Sequence, residues 1–238
     1  MLEIASLRYR YPDGHEALRG VTFSVSEGEK VALVGANGSG KSTLLLHVAG
    51  ALSVQEGRIS FRGREGQEVL RENVGLTFQD SDDQLLMPGV LEDVAFSLVA
   101  EGVPLREARE RAAKILDTLG IAHLAERLPH KLSGGEKRMV SFAGVLAREP
   151  EVLALDEPSA GLDPRARRRV INFLRESRRT IILATHDLDM ALDVCTRAVI
   201  LSDGAVACEG ALPELFTMRD VLEANGLELP LRYSYSVS

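Results

Sequence analysis

Nine consecutive residues, Gly35-Ala36-Asn37-Gly38-Ser39-Gly40-Lys41-Ser42-Thr43, fit the phosphate-loop pattern G-x-x-x-x-G-K-[ST] in full. Glycines let backbone N–H groups point inward with no side chain in the way, and the helix start that follows adds partial positive charge. In such a loop Lys41 reaches the β- and γ-phosphates of a nucleoside triphosphate, and the Ser42 hydroxyl takes one place on Mg2+. Further along, Val152-Leu-Ala-Leu-Asp156-Glu157 is an apolar run ending in two carboxylates. Open α/β sheets bind ligands at the carboxyl ends of their strands. Asp156 is therefore expected to hold Mg2+, directly or through a coordinated water, and Glu157 to polarise a water for in-line attack on the γ-phosphate. Carboxylates often end strands, so this pair gains its meaning from the phosphate loop upstream. A third pattern, Leu132-Ser133-Gly134-Gly135-Glu136, opens a helix with backbone donors and makes a second anion site. One nucleotide needs one phosphate loop, so a second γ-phosphate reader points to another subunit's nucleotide.

These residues need a scaffold that brings strand ends and helix starts together. Lys30–Val34 reads as a buried strand before the loop and Thr43–Val48 as the helix after it. Strand patterns also occur at Leu2–Tyr11, Val21–Val25, Gly57–Phe61, Asn73–Phe78, Val152–Leu155 and Thr180–Ala184, and helical ones at Leu91–Ala100, Leu105–Leu119, Glu136–Ala147 and Pro164–Ser177. Alternating strands and helices imply an α/β fold with a mostly parallel sheet, here with an N-terminal antiparallel β part. The helical stretch 80–147 interrupts the alternation as an inserted subdomain, leaving a catalytic core of 1–79 and 148–212. One domain over 1–230 is expected, with 231–238 a loosely held tail.

Composition narrows the class. A chain of 238 residues with 45% hydrophobic and 26% charged residues is an ordinary globular composition. Its net charge of −7 argues against nucleic acid as a partner. Cys195 and Cys208 have no metal-ligand spacing and read as free thiols in a reducing compartment, and His15, His47, His123 and His130 share none either. No signal peptide and no apolar run long enough to span a membrane is evident, which implies a cytoplasmic chain. The basic cluster Arg165, Arg167, Arg168 and Arg169 reads as a solvated helix face.

Taken together, the phosphate loop, Leu132-Ser133-Gly134-Gly135 and the Asp156-Glu157 ending resemble the ATP-binding-cassette (ABC) ATPases, over nearly the whole chain. The resemblance implies a P-loop NTPase core and further roles. Gln79 matches the glutamine that senses the metal and the attacking water. Ser159-Ala-Gly-Leu-Asp163 matches the loop that communicates across the dimer, which adds Asp163 to the nucleotide-binding set. His186, in Thr185-His186-Asp187, matches the switch histidine on the γ-phosphate, and Tyr11 the aromatic that stacks on adenine. Tyr9 is the weaker candidate. The family's mechanism is a head-to-tail dimer, homo- or heteromeric, in which each ATP lies between one chain's phosphate loop and the other's Ser133–Gly135.

Within the family, Phe78-Gln79-Asp80-Ser81-Asp82-Asp83-Gln84-Leu85 and Glu92-Asp93-Val94-Ala95-Phe96 resemble the ATPases of energy-coupling factor importers of the cobalt and nickel type. Pro129-His130-Lys131, Ala191–Cys195 and Gly226-Leu-Glu-Leu-Pro230 agree. That likeness implies a place on the cytoplasmic face of the membrane, beside a transmembrane coupling protein and a substrate-binding membrane protein, with a transition-metal ion or a vitamin as cargo. Asp80, Asp82, Asp83, Glu92 and Asp93 would meet partner arginines around a groove lined by Leu85, Leu86, Met87, Val90 and Leu91; the alternative is acidic helix caps over subdomain core. Two departures stand out: Glu136 where many relatives have Gln, and Val140-Ser141-Phe142 in the helix behind it. Other readings remain: the ATPase of another ABC transporter, or a soluble ABC ATPase. A GTPase would need Asn-Lys-x-Asp, which is absent, and neither a kinase nor a GTPase has a use for Ser133–Gly135.

Overall fold

A computed structural model describes residues 1–77 and 85–234. Its elements follow in chain order: β1 (Leu2–Arg10), β2 (Glu16–Val25), β3 (Lys30–Val34), α1 (Lys41–Val48), β4 (Glu56–Phe61), β5 (Arg64–Glu65), α2 (Gln67–Asn73), β6 (Val74–Thr77), α3 (Val90–Ala100) and α4 (Leu105–Thr118). After these come α5 (Gly134–Ala147), β7 (Val152–Asp156), α6 (Pro164–Glu176), β8 (Thr180–Ala184), α7 (Leu188–Val194), β9 (Arg197–Ser202), β10 (Ala205–Ala211), α8 (Arg219–Ala224) and α9 (Leu231–Ser234). They fall into two compact units, one of residues 1–76, 151–156 and 178–238, the other of 77–150 and 157–177.

The first unit holds two sheets. Strands β2, β1, β4 and β5 form an antiparallel sheet in that order. The other sheet runs β10-β9-β3-β8-β7-β6, with β9, β3, β8 and β7 mutually parallel and β10 antiparallel at its edge. Every residue of β7 and β8 is buried, as expected for parallel strands covered on both faces. Leu44, Leu45 and Val48 of α1 join Leu7, Leu18 and Phe61 of the antiparallel sheet and Val31, Leu33 and Ile182 of the parallel one in a single apolar cluster. Non-polar burial of this kind stabilises by about 1.5–3 kcal/mol for each large side chain, and here it fixes the helix that carries the phosphate loop.

Two features depart from simple periodicity. In β1 the pairing with β2 slips between Ile4 and Leu7, and Ser6 takes φ 50°. That bulge re-phases the strand, so Leu7 is buried where plain alternation from Leu2 and Ile4 would bury Ser6. The hairpin β9–β10, missing from the sequence reading, turns at Asp203-Gly204 with φ of 47° and 78°. Asp-Gly between two apolar-bearing runs is the signal that would have found it.

In the second unit α3, α4 and α5 pack on one another. Ala108, Ala112 and Leu116, four residues apart, bury one stripe of α4, while Val94 and Leu98 do the same for α3. The Val140-Ser141-Phe142 departure has a packing cause: all three are buried, and the Phe142 ring meets Phe173 of α6 edge-on with centroids 5.7 Å apart. Val90 is fully buried and Glu92 pairs with Arg109 at 3.3 Å. The Asp93 carboxylate accepts from the backbone N–H groups of Leu86 and Met87, both at 2.7 Å. Val90 is thus core rather than groove lining, and both acids are engaged within the chain. Asp80, Asp82 and Asp83 lie outside the described residues.

Candidate functional site

The phosphate loop joins β3 to α1 in the first unit. Gly35 has φ 153°, and a Cβ there would stand 2.2 Å from the Leu201 carbonyl oxygen, so no side chain fits. Gly38 has φ 79° but faces open space, which leaves its surroundings clear for a ligand to approach. Gly40 forms the N-terminal boundary of α1. Asn37 and Ser42 are exposed and Ser39 is buried. The Lys41 ammonium folds onto its own loop, donating to the carbonyls of Gly35 and Ala36 at 2.9 Å each. The buried Ser39 hydroxyl has no hydrogen-bond partner. A cation held by two carbonyls, an orphaned hydroxyl and a helix start suit a polyanion.

Tyr11 is joined to this loop directly: its hydroxyl lies 3.0 Å from that of Thr43. Tyr9 packs edge-on against both Tyr11 and the buried His47 of α1, with ring centroids at 4.9 and 4.5 Å. Burial pushes the His47 pKa below its usual value, so the ring is neutral at neutral pH. Asp156 closes β7, nearly buried. His186 is exposed between β8 and α7. Its neighbours are pinned: the Thr185 N–H donates to the Leu33 carbonyl at 3.2 Å, and Asp187 caps α7 by accepting from the Met190 N–H at 2.9 Å.

The second unit carries Glu157 and the helix-start motif. Glu157 is buried and takes φ 47°. Arg138 of α5 donates to its backbone carbonyl at 2.7 Å. Ser133 caps α5 in a reciprocal box: its backbone N–H donates to the Glu136 carboxylate at 2.8 Å, and the Glu136 N–H donates to the Ser133 hydroxyl at 3.3 Å. These Ser133 bonds, with Arg127 nearby, hold the Glu136 carboxyl below the usual carboxylate range. The Glu-for-Gln departure is therefore a complete capping box. Gly135 lies against the following loop, where an added Cβ would meet the Gly161 carbonyl oxygen at 3.1 Å. The Asp163 carboxylate caps α6, accepting from the N–H groups of Ala166 and Arg165, which lower its pKa.

Ser133, Gly134, Gly135 and Asp163 share one cavity of about 670 Å³ with Arg138 and Arg169. Both arginines escaped the sequence reading as site residues. Arg138 stands three and four residues after Gly135 and Gly134, on the same helix face, which was the available signal. Gln79 lies outside the described residues. Among the described residues no group of three or more His, Cys, Asp or Glu could hold a metal, and no helix is long and apolar enough to cross a membrane.

Residues 18–160 match the family model of the ABC transporter. This chain belongs to that family. An ABC transporter ATP-binding protein of Geobacter sulfurreducens is 46% identical to it over 97% of this chain and 94% of its own length. EcfA of Methanothermobacter thermautotrophicus, an energy-coupling factor transporter ATP-binding protein, is 40% identical over 97% of this chain and 77% of its own. Among solved structures, CbiO1 from Clostridium perfringens, part of the transporter complex cbiONQ, has a TM-score of 0.79 at 39% identity, covering 94% of this chain and 93% of that one. The cassette MJ0796, a dimer in a post-hydrolysis state with ADP and Pi, has a TM-score of 0.81 at 27% identity, covering 89% of this chain and 99% of that one. This ABC ATPase is accordingly the ATP-binding subunit of a transporter, from a family that couples ATP hydrolysis to transport.

Proposed function

We propose that this ABC ATPase drives an importer of the energy-coupling factor type, with a transition-metal ion such as cobalt or nickel, or a vitamin, as cargo. The observation that carries this reading is the similarity of nearly the whole of this chain to both EcfA and CbiO1. The chain works as a peripheral subunit on the cytoplasmic face of the membrane, paired with a second cassette and with a membrane coupling protein and a substrate-binding membrane protein.

In the catalytic cycle, the phosphates of ATP draw Lys41 away from its loop carbonyls and offer an acceptor to the Ser39 hydroxyl. Gly35, Asn37, Gly38, Gly40 and Thr43 shape the cradle, and Tyr11 stacks on the adenine. Mg2+, when bound, neutralises phosphate charge, with Ser42, Asp156 and Gln79 as its protein-side contacts; one carboxylate and a hydroxyl suit an ion that keeps several waters. Glu157 accepts the proton of the attacking water, and His186 donates to the γ-phosphate. Ser133, Gly134 and Gly135, with Asp163 beside them, meet the ATP held by the opposing chain. The bound nucleotide bridges two chains, so it favours the closed dimer by its differential affinity for that state.

The test is purification of the tagged chain from gently solubilised native membranes, with mass spectrometry of what co-elutes. Recovery of a small coupling protein and a compact substrate-binding membrane protein supports the reading and identifies the cargo. Recovery with the permease of another ABC importer, or from the soluble fraction alone, refutes it and leaves the ATPase assignment intact.

A further inference from the structure

The C-terminal segment returns to the catalytic face of the first unit. A Cβ placed on Gly226 would stand 3.2 Å from the Cβ of Ala36, inside the phosphate loop. Beyond it, the residues expected to form a loose tail include the turn α9, which is tied to α7. The Asp189 carboxylate accepts from the backbone N–H groups of Leu231 at 2.9 Å and Arg232 at 3.2 Å, so a side chain of α7 caps α9. The Arg232 guanidinium lies between two carboxylates, 3.4 Å from Asp189 and 2.8 Å from Asp193.

The arrangement solves a local problem. Helix α7 has seven residues, too few to be stable alone. Asp189 and Asp193 are four apart on it, a spacing at which like charges repel and destabilise a helix. A cation between them turns the repulsion into a bridge. The first residue of α7, Leu188, stands two positions after His186, and Asp187 between them is the helix cap. Whatever holds α7 therefore holds the backbone that presents His186.

We propose that Arg232, through its bridge to Asp189 and Asp193, is a positioning residue for ATP hydrolysis, setting His186 from the C-terminal segment. This rests on the reading of His186 as the γ-phosphate contact.

Steady-state ATPase activity of the purified chain, measured against ATP concentration, tests it in Arg232→Ala, Arg232→Lys, Asp193→Asn, His186→Ala and the double variant His186→Ala/Arg232→Ala. Arg232→Ala is expected to lower kcat about fivefold with KM for ATP unchanged, the size of effect a part-exposed bridge can supply. Lysine at 232 should restore most of the rate, since an ammonium still fits between the two acids. The double variant should be no slower than His186→Ala, because the arginine acts through the histidine. Asp193→Asn removes one arm at constant volume and carries the same test if Arg232→Ala proves unstable. Wild-type kcat in both Arg232→Ala and Asp193→Asn, beside a lost rate in His186→Ala, overturns the proposal alone. A further fivefold loss in the double variant also overturns it, by making the bridge a general structural contact. Wild-type kcat in His186→Ala overturns the histidine reading and the proposal with it.

Discussion

Arg138 donates to the backbone carbonyl of Glu157 at 2.7 Å, tying the helix that starts with Ser133–Gly135 to the residue with the buried carboxylate. Glu157 sits at φ 47°, a left-handed conformation that costs a non-glycine residue about 1–2 kcal/mol. A charge-assisted hydrogen bond of about 1.5–3 kcal/mol is enough to offset that cost. Arg138→Ala is therefore expected to let the Glu157 backbone relax and to lower kcat about tenfold, leaving ATP affinity by calorimetry as it was. A weakened ATP affinity at unchanged kcat would contradict this role for Arg138.

Gly35 and Gly38 are both glycines with positive φ, yet alanine at each should fail differently. At position 35 the new Cβ meets the backbone oxygen of Leu201 at 2.2 Å, a clash that only main-chain movement in β9 can relieve. At position 38 it meets nothing within 4 Å, so the fold bears only the left-handed backbone cost of about 1–2 kcal/mol. Gly35→Ala should lower Tm by many degrees or prevent soluble expression. Gly38→Ala should stay folded, melting within about 2–8 °C of wild type, and lose ATP binding. Thermal melts with and without ATP separate the two outcomes.

The Tyr11 hydroxyl is within hydrogen-bond distance of Thr43, and its ring is flanked by those of Tyr9 and His15. Tyr11→Phe keeps the ring and removes a bond worth about 1 kcal/mol, so ATP affinity should fall no more than about fivefold. Tyr11→Ala removes the face offered to the base and should cost at least tenfold. Equal losses in the two variants would assign the effect to the hydroxyl and not to stacking.

The phosphate loop was legible because its chemistry demands particular residue types at fixed spacing, and the buried strands β3, β7 and β8 because parallel strands are continuously apolar. The bulge at Ser6 was hidden, since a re-phased strand looks like an imperfect alternation until its partner is seen. Arg138 and Arg232 were hidden for a related reason. Each acts on a residue distant in sequence, Glu157 and the Asp189–Asp193 pair, and no local pattern records a contact across 19 or about 40 positions. Of the groove expected from the sequence, Val90 belongs to the core and Asp93 to a cap, because an exposed acid and a helix-capping acid share one sequence signature, whereas Leu86 stays exposed. The structure alone shows that Asp93 faces the backbone of Leu86 and Met87.

Glu136 offers a test that pH controls. Its carboxylate accepts from the Ser133 backbone N–H at 2.8 Å and lies 3.5 Å from Arg127, beside the positive start of α5. These contacts lower its pKa below the ordinary 4.5, so the folded state binds this proton less tightly than the unfolded chain does. The stabilisation is fully present above the unfolded value and is lost as pH falls through the folded one. Gln at 136 can still accept from Ser133 but carries no charge. At pH 7 the wild type should therefore melt slightly above Glu136→Gln, and the gap should close as pH drops below about 4.5. Glu136→Ala, which breaks the capping box, should melt about 2–4 °C below wild type at pH 7. Scanning calorimetry of the three proteins from pH 7 to pH 3 checks the order. A gap between wild type and Glu136→Gln that widened in acid would mean that Glu136 repels its surroundings, and that Arg127 and Ser133 do not hold it as a carboxylate.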